Sequence, residues 1–199
     1  KEVKSIKRIL FTSSLLVCKN GYIPKSVTDY CPPNYYGKSK VIGEKKVRSS
    51  NLNCEWVIVR PTSIWGPYFD YSYKTFFQTI DKNRYFHLGI NEFKKPASFV
   101  GNTVYMMINI LVEDNPSIVG GTFYLADYPC YSTKKWAIEI QKVLNSNKIK
   151  TAPLMILRFI AVIGDLMKIL FKFEPPLTSF RLNNMLKGGD RSEERRVGK

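Results

Sequence analysis

The sequence predicts an α/β fold organised around a parallel sheet. Three short apolar stretches, near 8–13, 55–60 and 122–126, have the length and β-branched content of buried strands. Stretches with helical periodicity separate them, which is the alternation typical of parallel sheets. The apolar fraction of 44% is large enough to fill a core, so the composition excludes a globally disordered chain.

The first strand, Arg8–Thr12, runs directly into two serines. Ser13 and Ser14 therefore stand at the carboxyl end of a strand, the edge at which open α/β sheets bind ligands. A serine pair can also be an ordinary helix or turn cap. The position at the strand end makes both hydroxyls candidates for a functional site, with the cap as the alternative.

A helix is predicted from about Tyr35 to Ser49, because Pro32-Pro33-Asn34 ends an extended loop and supplies a cap. Tyr36 and Lys40 are four residues apart and share one face of this helix. A phenol with a pKa of about 10 is a poor base at neutral pH, and an adjacent ammonium favours its ionised form. Together with a nearby serine hydroxyl, these side chains would form a proton-transfer site for an alcohol or ketone.

Two further details concern the same helix. The Tyr-x-x-x-Lys spacing occurs a second time, at Tyr131 and Lys135, which we interpret as chance. Gly43, inside the predicted helix, costs about 1 kcal/mol of helix propensity against alanine. A close contact with a neighbouring strand or helix would explain this glycine.

The remaining elements follow from the same kinds of pattern. Glu55–Arg60 is the second strand, Pro61 ends it, and 62–67 is predicted to be a loop. Helices are predicted over 72–83 and 103–112, and Ser132 is expected to cap a further helix that ends near Asn145.

The order of these features resembles the extended short-chain dehydrogenases/reductases of the sugar-nucleotide epimerase/dehydratase group. Three stretches carry the resemblance: the strand ending in Ser13-Ser14, the segment Tyr36-Gly-x-Ser-Lys40-x-x-x-Glu44, and the strand Trp56-Val-Ile-Val-Arg-Pro61. The likeness runs from about Val3 to Gly189 and is greatest to sugar 4-epimerases, including those that act on polyprenyl-diphosphate-linked sugars. It implies the C-terminal part of a Rossmann-type parallel sheet with an interleaved smaller substrate domain.

The resemblance also implies a division of the chain. The family's N-terminal strand, Gly-x-x-Gly-x-x-Gly turn and helix have no counterpart here, so we expect an N-terminally truncated fragment that is inactive and binds no measurable NAD in isolation. The segment 191–199 breaks the apolar pattern and is expected to be a non-native tail. The expected parts are a partial NAD-binding domain at 1–64, a substrate-domain segment at 65–99, a return to the NAD-binding domain at 100–126, and a C-terminal substrate domain at 127–190.

Site residues are carried over onto matching positions. The resemblance implies catalytic roles for Ser14, Tyr36 and Lys40. It implies that the cofactor is NAD, with NADP not excluded, bound by Ser13, Tyr36, Lys40, Pro61 and Thr62. For the substrate it implies Ser14, Trp65 and Lys95, although Trp65 is equally typical of a core tryptophan and Lys95 of a solvated lysine.

The function implied is an NAD-dependent epimerase of a nucleotide-linked or lipid-diphosphate-linked sugar, acting through a transient ketosugar and forming a homodimer when complete. One alternative is an NAD(P)-dependent dehydrogenase or reductase of a sugar or a sterol-like alcohol. A second is a non-catalytic nucleotide-binding protein. A sugar 4,6-dehydratase is disfavoured, because that reaction needs carboxylates just after Ser14 and this chain has Leu15 and Leu16 there.

The net charge of +15 would suit a sugar-diphosphate substrate, an anionic membrane surface or a nucleic acid. The lysines are scattered and no nucleic-acid-binding motif is present, so nucleic acid is disfavoured. Four cysteines without a C-x-x-C spacing and a single histidine, His87, give no legible metal site. We expect a cytoplasmic protein with reduced thiols.

The segment 153–173 is strongly apolar yet carries four charged residues. At about 100° per residue, Arg158, Asp165, Lys168 and Lys172 fall within a stripe of roughly 80°. Four charges do not suit a membrane-spanning helix. The pattern suits a helix docked on the substrate domain, and equally a helix that lies on a membrane surface, so a peripheral membrane contact through 153–173 stays open as an alternative.

Overall fold

The computed structural model describes residues 6–69, 72–89, 92, 94–171, 175 and 177–186, which form two compact units. Unit 1 contains the described residues up to Tyr68 together with Pro96–Cys130. Unit 2 contains Phe69–Lys95 and the described part of Tyr131–Gly189. The chain therefore passes from unit 1 to unit 2 and back, and then enters unit 2 again.

The structure contains nine strands and six α-helices in its described part. The strands are β1 Arg8–Thr12, β2 Glu55–Pro61, β3 Ser63–Trp65, β4 Phe86–Leu88, β5 Lys94–Lys95, β6 Ala97–Phe99, β7 Thr122–Leu125, β8 Tyr131–Ser132 and β9 Lys150–Ala152. The helices are α1 Tyr35–Ser49, α2 Ser72–Asp81, α3 Val100–Val112, α4 Thr133–Val143, α5 Leu154–Phe171 and α6 Ser179–Leu186.

A three-stranded parallel sheet in the order β1-β2-β7 forms the centre of unit 1. Leu10 lies opposite Val57, and Val59 lies opposite Phe123. The three predicted strands and the predicted parallel sheet are thus confirmed. All three strands end at the same edge, beyond which the serines and the Pro61-Thr62 segment lie.

Side chains alternate across β2 and place a helix on each face of the sheet. Val57 and Val59 are buried against α3, where Met106 packs on them. Ile58 and Arg60 point to the opposite face, toward α1, which holds the partner of Arg60. Because both faces are covered, β2 is a mostly apolar run, interrupted by Glu55 at its start and by Arg60 near its end.

The predicted helix caps are present. Asn34 Oδ1 accepts a hydrogen bond from the Gly37 N–H at 2.9 Å and begins α1 at Tyr35, as predicted. Ser132 Oγ accepts from the Lys135 N–H at 3.3 Å and begins α4. Helix α2 ends at Asp81, two residues before the predicted end, because Asn83 adopts a left-handed conformation with φ 57°.

The predicted loop at 62–67 is wrong in part. Ser63–Trp65 forms β3, which pairs in parallel with β6, and this pairing keeps Trp65 and Ala97–Phe99 in unit 1. The borders between the units therefore lie after Tyr68 and Lys95, four residues from the borders expected at 64 and 99. Two- and three-residue strands have too little periodicity to be recognised before their partners are known.

The described part of unit 2 contains two short strand pairs and two pairs of contacting helices. Strand β4 pairs in parallel with β9, and β5 pairs antiparallel to β8. Leu157 and Ala161 of α5 pack on Leu182 of α6 in a separate core. Helices α2 and α4 share a cluster of aromatic side chains, which comprises Tyr73, Phe76, Phe77, Tyr85 and Trp136.

Other expectations concern the second half of the chain. Tyr131 lies in β8 and Lys135 in α4, so the repeated spacing is not a helical pair. None of the helices in the described ranges is long and apolar enough to cross a membrane. Lys172 and the expected non-native tail at 191–199 lie outside the described residues.

Candidate active site

The two serines after β1 make different contacts. Ser13 is buried, and its Oγ donates a hydrogen bond to Glu44 Oε1 at 2.5 Å. Ser14 is also buried, and its Oγ accepts from the Leu16 N–H at 3.1 Å, which caps a single 3₁₀ turn over Leu15–Val17. A hydroxyl that accepts one hydrogen bond can still donate its own proton. The cap and the predicted catalytic role of Ser14 are therefore compatible.

Tyr36 and Lys40 lie one turn apart on α1. The Lys40 Nζ is 5.7 Å from the centre of the Tyr36 ring, so the ammonium lies over the aromatic ring. The same Nζ donates a hydrogen bond to the Thr12 carbonyl oxygen at 3.1 Å, at the last residue of β1. Tyr36 is 51% exposed, so its ring points toward solvent and not into the core. The structure thus places the tyrosine–lysine pair at the carboxyl edge of the sheet.

A close backbone contact fixes the position of this pair. A Cβ on Gly37 would overlap the Leu16 carbonyl oxygen and would lie only 3.0 Å from Pro32 Cβ. Glycine therefore lets the first turn of α1 rest directly on the 3₁₀ turn that Ser14 caps. Tyr36, the residue before this glycine, is held next to the segment that follows Ser14.

The explanation predicted for Gly43 is wrong. A Cβ built on Gly43 meets no atom of the described residues within 4 Å, so a tight packing contact does not account for the glycine. Gly43 borders open space, a cleft of about 280 Å³ between α1 and the end of β1. The cleft is lined by Phe11, Thr12, Ser13, Ser39, Lys40, Gly43, Glu44, Val47 and Ile58.

A buried ion pair lies below this cleft, and the sequence did not reveal it. Arg60 is 0% exposed and Glu44 is 2% exposed. The guanidinium binds the carboxylate through two hydrogen bonds, Nε to Oε1 at 2.8 Å and Nη2 to Oε2 at 2.6 Å. Such a bidentate pair is both strong and geometrically specific. An arginine that follows four apolar residues in the central strand was the available signal.

Further hydrogen bonds satisfy both partners of the pair. Glu44 also accepts from Ser13 Oγ and from the Tyr30 hydroxyl, the latter at 2.9 Å. Arg60 donates to the Tyr124 hydroxyl and to the Val27 carbonyl oxygen, each at 2.6 Å. One network thus connects α1, β2, β7, the end of β1 and the 27–30 loop. It fixes Ser13 relative to the helix that carries Tyr36 and Lys40.

The ion pair determines the charge states below the cleft. Burial opposes ionisation of Glu44, but the hydrogen bonds from Arg60 and Ser13 outweigh it and hold the pKa of the carboxyl below its usual value. Burial likewise opposes the charge on Arg60, and the hydrogen bond to Glu44 reverses the effect and raises the pKa of the guanidinium. Burial also raises the pKa of the Tyr30 hydroxyl. Glu44 is therefore a structural anion and not a proton donor.

The segment after β2 contributes a second polar group at the same edge of the sheet. Pro61 is buried as the last residue of β2, and the Thr62 N–H donates to the Leu125 carbonyl oxygen at 3.0 Å. The Thr62 Oγ1 is buried and has no hydrogen-bond partner among the described residues. A buried hydroxyl without a partner is costly, so this oxygen is suited to meet a ligand.

Two of the three predicted substrate residues, Trp65 and Lys95, lie in different units. Trp65 is half-buried in unit 1, and its ring packs on Phe99 with the centroids 5.1 Å apart. This contact fits the core alternative that we left open for Trp65. Lys95 lies at the exposed surface of unit 2, where surrounding protein desolvates the ammonium enough to lower its pKa. Among the described residues no group of three or more histidine, cysteine or acidic side chains could hold a metal ion.

Comparison with known proteins assigns the family. The model of the 3-beta hydroxysteroid dehydrogenase/isomerase family matches residues 2–156. The chain belongs to this family. The predicted membership of the extended short-chain dehydrogenases/reductases is confirmed, as are the Rossmann-type α/β fold and an enzyme family. The matched range includes both serines, Tyr36, Lys40, Glu44 and Arg60.

Individual relatives agree with this assignment. The UDP-glucose 4-epimerase of Vibrio cholerae is 25% identical over 147 residues, which are 70% of this chain and 44% of that protein. The crystal structure of the UDP-N-acetylglucosamine 4-epimerase from Bacillus cereus is similar with a TM-score of 0.57 at 16% identity, over 91% of this chain and 64% of that one.

A third relative is the Bordetella bronchiseptica enzyme WbmG, solved in complex with NAD. It has a TM-score of 0.57 at 18% identity over 73% of this chain and 46% of that one. At these identities the solved structures establish the shared fold alone. The chain spans about half the length of the relatives that it matches, between 44% and 64%.

Proposed function

We propose that this chain supplies the acid/base residues of an NAD-dependent enzyme that epimerises a sugar linked to a nucleotide or a lipid diphosphate. The observation that best supports this is the position of Lys40. Its ammonium donates a hydrogen bond to the carbonyl oxygen of Thr12, the last residue of β1, and lies 5.7 Å from the centre of the Tyr36 ring. A cation held there stabilises negative charge that develops on the tyrosine oxygen at the sheet edge where ligands bind.

Each of the three side chains has a part in the proton transfer. Tyr36, as phenolate, takes the proton from a sugar hydroxyl while the carbon that bears this hydroxyl gives up its hydride. The C–H and O–H bonds break and a C=O bond forms. Ser14 donates a hydrogen bond to that oxygen, and Lys40 stabilises the phenolate. When hydride returns to the opposite face of the carbon, Tyr36 gives the proton back, and the product is the epimer.

The residues at the sheet edge suit a dinucleotide cofactor. A nicotinamide ring, when bound, supplies the hydride acceptor and donor. The unpartnered hydroxyl of Thr62 and the ammonium of Lys40 stand at the ends of neighbouring parallel strands, where such cofactors bind in open α/β sheets. We therefore propose Ser13, Tyr36, Lys40, Pro61 and Thr62 as this chain's contribution to NAD or NADP binding.

Finer features of the substrate and assembly remain proposals. The net positive charge of the chain suits a substrate that carries a diphosphate, and we propose that Lys95 faces this diphosphate. The apolar pair Leu15-Leu16 offers no carboxylate beside Ser14, which disfavours a dehydratase. The homodimer implied by the resemblance is testable by sedimentation of the complete enzyme.

The description of the matching family favours a second candidate, a dehydrogenase or reductase of a sugar or a sterol-like alcohol. The same three side chains would act, but the reaction would stop at the ketone or the alcohol. Product analysis separates the two candidates. Formation of an epimer without net change in NAD(P)H supports the first candidate, and stoichiometric consumption or production of NAD(P)H supports the second.

Replacing Tyr36 in the complete enzyme tests the proposal. Tyr36→Phe removes the proton acceptor and keeps the ring, so turnover should fall by a factor of about 10² to 10⁴ while NAD still binds. Tyr35→Phe is the matched control, because Tyr35 is the exposed neighbour on the same helix and should leave turnover unchanged. Full turnover by the Tyr36 variant would contradict the assignment. Cofactor binding without turnover by the unmodified enzyme would favour the non-catalytic alternative.

A further inference from the structure

Helix α5 presents an unusually apolar surface to solvent. Ten apolar side chains along it are exposed. At 100° per residue they cover a continuous arc of about 180°, half the circumference of a helix roughly 27 Å long. They are Met155, Ile156, Phe159, Ile160, Val162, Ile163, Leu166, Met167, Ile169 and Leu170, and they are called the α5 face below. A patch of this kind marks an interaction surface.

The opposite side of α5 fixes the direction in which this face points. Leu157 and Ala161 are buried against Leu182 of α6. A Cβ on Gly164 would overlap the Leu177 carbonyl oxygen, so the helix is seated directly on backbone at this point. Turning α5 to bury the exposed arc would break both contacts. The outward orientation of the α5 face is therefore set by packing within unit 2.

The charges of α5 are also distributed unevenly. The Asp165 carboxylate accepts hydrogen bonds from the Ser179 N–H, at 3.2 Å and 3.3 Å to its two oxygens, at the start of α6. Its negative charge thus interacts with a helix N-terminus inside unit 2. Arg158 and Lys168 are exposed, and Arg158 borders the α5 face. Arg158 therefore places a positive charge beside the α5 face.

Unit 2 as a whole also has an excess of basic over acidic side chains. Its described residues include thirteen lysines and arginines and four carboxylates. Such a surface is attracted to anionic lipid headgroups by about 1 kcal/mol per basic residue close to the membrane. Two copies of this chain would instead bring two strongly cationic surfaces together. Charge complementarity thus favours an anionic bilayer over a second copy as the occupant of the α5 face.

We propose that the α5 face docks in the plane of an anionic membrane surface. The apolar side chains enter the boundary between headgroups and acyl chains, and Arg158, which borders the face, reaches the lipid phosphates. The helix does not cross the bilayer, in keeping with its length and composition. This surface is independent of the proton-transfer site in unit 1, so it holds for either candidate reaction.

Vesicle flotation of the 199-residue chain tests the docking. The chain should float with vesicles of phosphatidylglycerol and phosphatidylcholine. The variant M155S/F159S/I169S changes three side chains that are 83%, 69% and 76% exposed. Losing their transfer into lipid should weaken the partition coefficient roughly a hundredfold. Because these side chains are exposed, thermal unfolding followed by circular dichroism should be unchanged.

Two further variants distinguish docking through the α5 face from non-specific hydrophobic adsorption and from electrostatic attraction alone. V104S/V112S/V143S removes three exposed valines outside α5 and should float like the unmodified chain. R158Q should weaken binding to the anionic vesicles roughly fivefold and leave any weak binding to pure phosphatidylcholine unchanged.

Three results would overturn the proposal. One is undiminished flotation of M155S/F159S/I169S, which would place lipid binding elsewhere. The second is a lipid-independent dimer, seen by sedimentation, that this variant converts to monomer, because a second copy would then cover the α5 face. Failure of the unmodified chain to float would also reject docking, and it would leave the proton-transfer proposal untouched.

Discussion

Helices α1 and α5 depart from the usual distribution of side chains in opposite directions. Helix α1 turns the carboxylate of Glu44 into the core, whereas α5 turns ten apolar side chains outward. Buried charges and large exposed apolar patches are the informative departures, because single exposed apolar residues are common in all proteins. The buried charge holds parts of unit 1 in register, and the exposed arc leaves unit 2 a surface for a partner.

In both helices a glycine makes a close contact with a backbone carbonyl and so fixes the position of the helix. Gly37 of α1 rests on the Leu16 carbonyl, and Gly164 of α5 rests on the Leu177 carbonyl. In each case the absence of a Cβ allows a helix to approach backbone closely. The two helices therefore share this backbone contact and differ in the rest of their surface, which buries a carboxylate in α1 and exposes apolar side chains in α5. Substitutions in α1 should change folding stability, and substitutions on the α5 face should change association.

The largest effect on stability is expected from breaking the buried ion pair. Glu44→Leu leaves the Arg60 guanidinium buried without its carboxylate, which should lower the free energy of unfolding by about 3–5 kcal/mol. The double variant E44L/R60M removes both charges and should lose less than the two single changes together. Urea unfolding followed by circular dichroism measures each difference.

An exposed ion pair provides the control for that experiment. Glu139 and Lys142 pair at 2.7 Å on the surface of α4, where solvent screens them. Glu139→Leu should therefore change the free energy of unfolding by less than about 1 kcal/mol. Equal losses from the buried and the exposed pair would show that the buried network does not hold unit 1 together.

A smaller effect is expected from the glycine that seats α1. Gly37→Ala forces a Cβ onto the Leu16 carbonyl and should cost about 1–3 kcal/mol. Gly43→Ala, six residues further along the same helix, enters open space and should gain up to about 1 kcal/mol through helix propensity. A similar response to both substitutions would mean that helix propensity, and not the contact with Leu16, decides the effect at Gly37.

The smallest expected effect is a difference in acid stability. The unfolded chain protonates Glu44 at its ordinary pKa of about 4.3, whereas the folded chain protonates it only at a lower pH. The ionised carboxylate therefore stabilises the fold fully above this ordinary pKa, and the contribution is lost as pH falls through the lowered one. Across that window stability should decline by at most about 1.4 kcal/mol per pH unit from this group.

Glu44→Gln isolates that contribution. Other carboxylates such as Asp29 and Asp114, whose pKa values are also lowered by hydrogen bonds, are present in both proteins and cancel in the comparison. The difference in unfolding free energy between the two proteins should shrink as pH falls from 5 toward 3. A constant difference across this range would contradict the assignment of a lowered pKa to Glu44.

Local patterns account for what could be predicted. The strands Arg8–Thr12 and Glu55–Pro61, the helix Tyr35–Ser49 and the caps at Asn34 and Ser132 depend on neighbouring residues only, and each was predicted close to its observed bounds. The tyrosine–lysine pair is also local, since a four-residue spacing on a helix decides it. The three catalytic roles remain predictions, because they require a substrate.

Contacts between residues far apart in the chain could not be predicted in this way. Gly43 was assigned a packing contact that belongs instead to Gly37, because only the fold shows which glycine meets Leu16. The pairing of β3 with β6 was missed, because a three-residue strand is recognised by its partner and not by its own periodicity.

The sequence by itself determined the class of fold, the main strands and helices, and the helical face shared by Tyr36 and Lys40, because these follow from periodicity, caps and spacing within one segment. Only the tertiary structure decided that Arg60 meets Glu44, that Lys40 bonds to the end of β1, and that α5 keeps its apolar arc outside. Those outcomes depend on which surfaces cover one another after the chain has folded, and no local pattern specifies that.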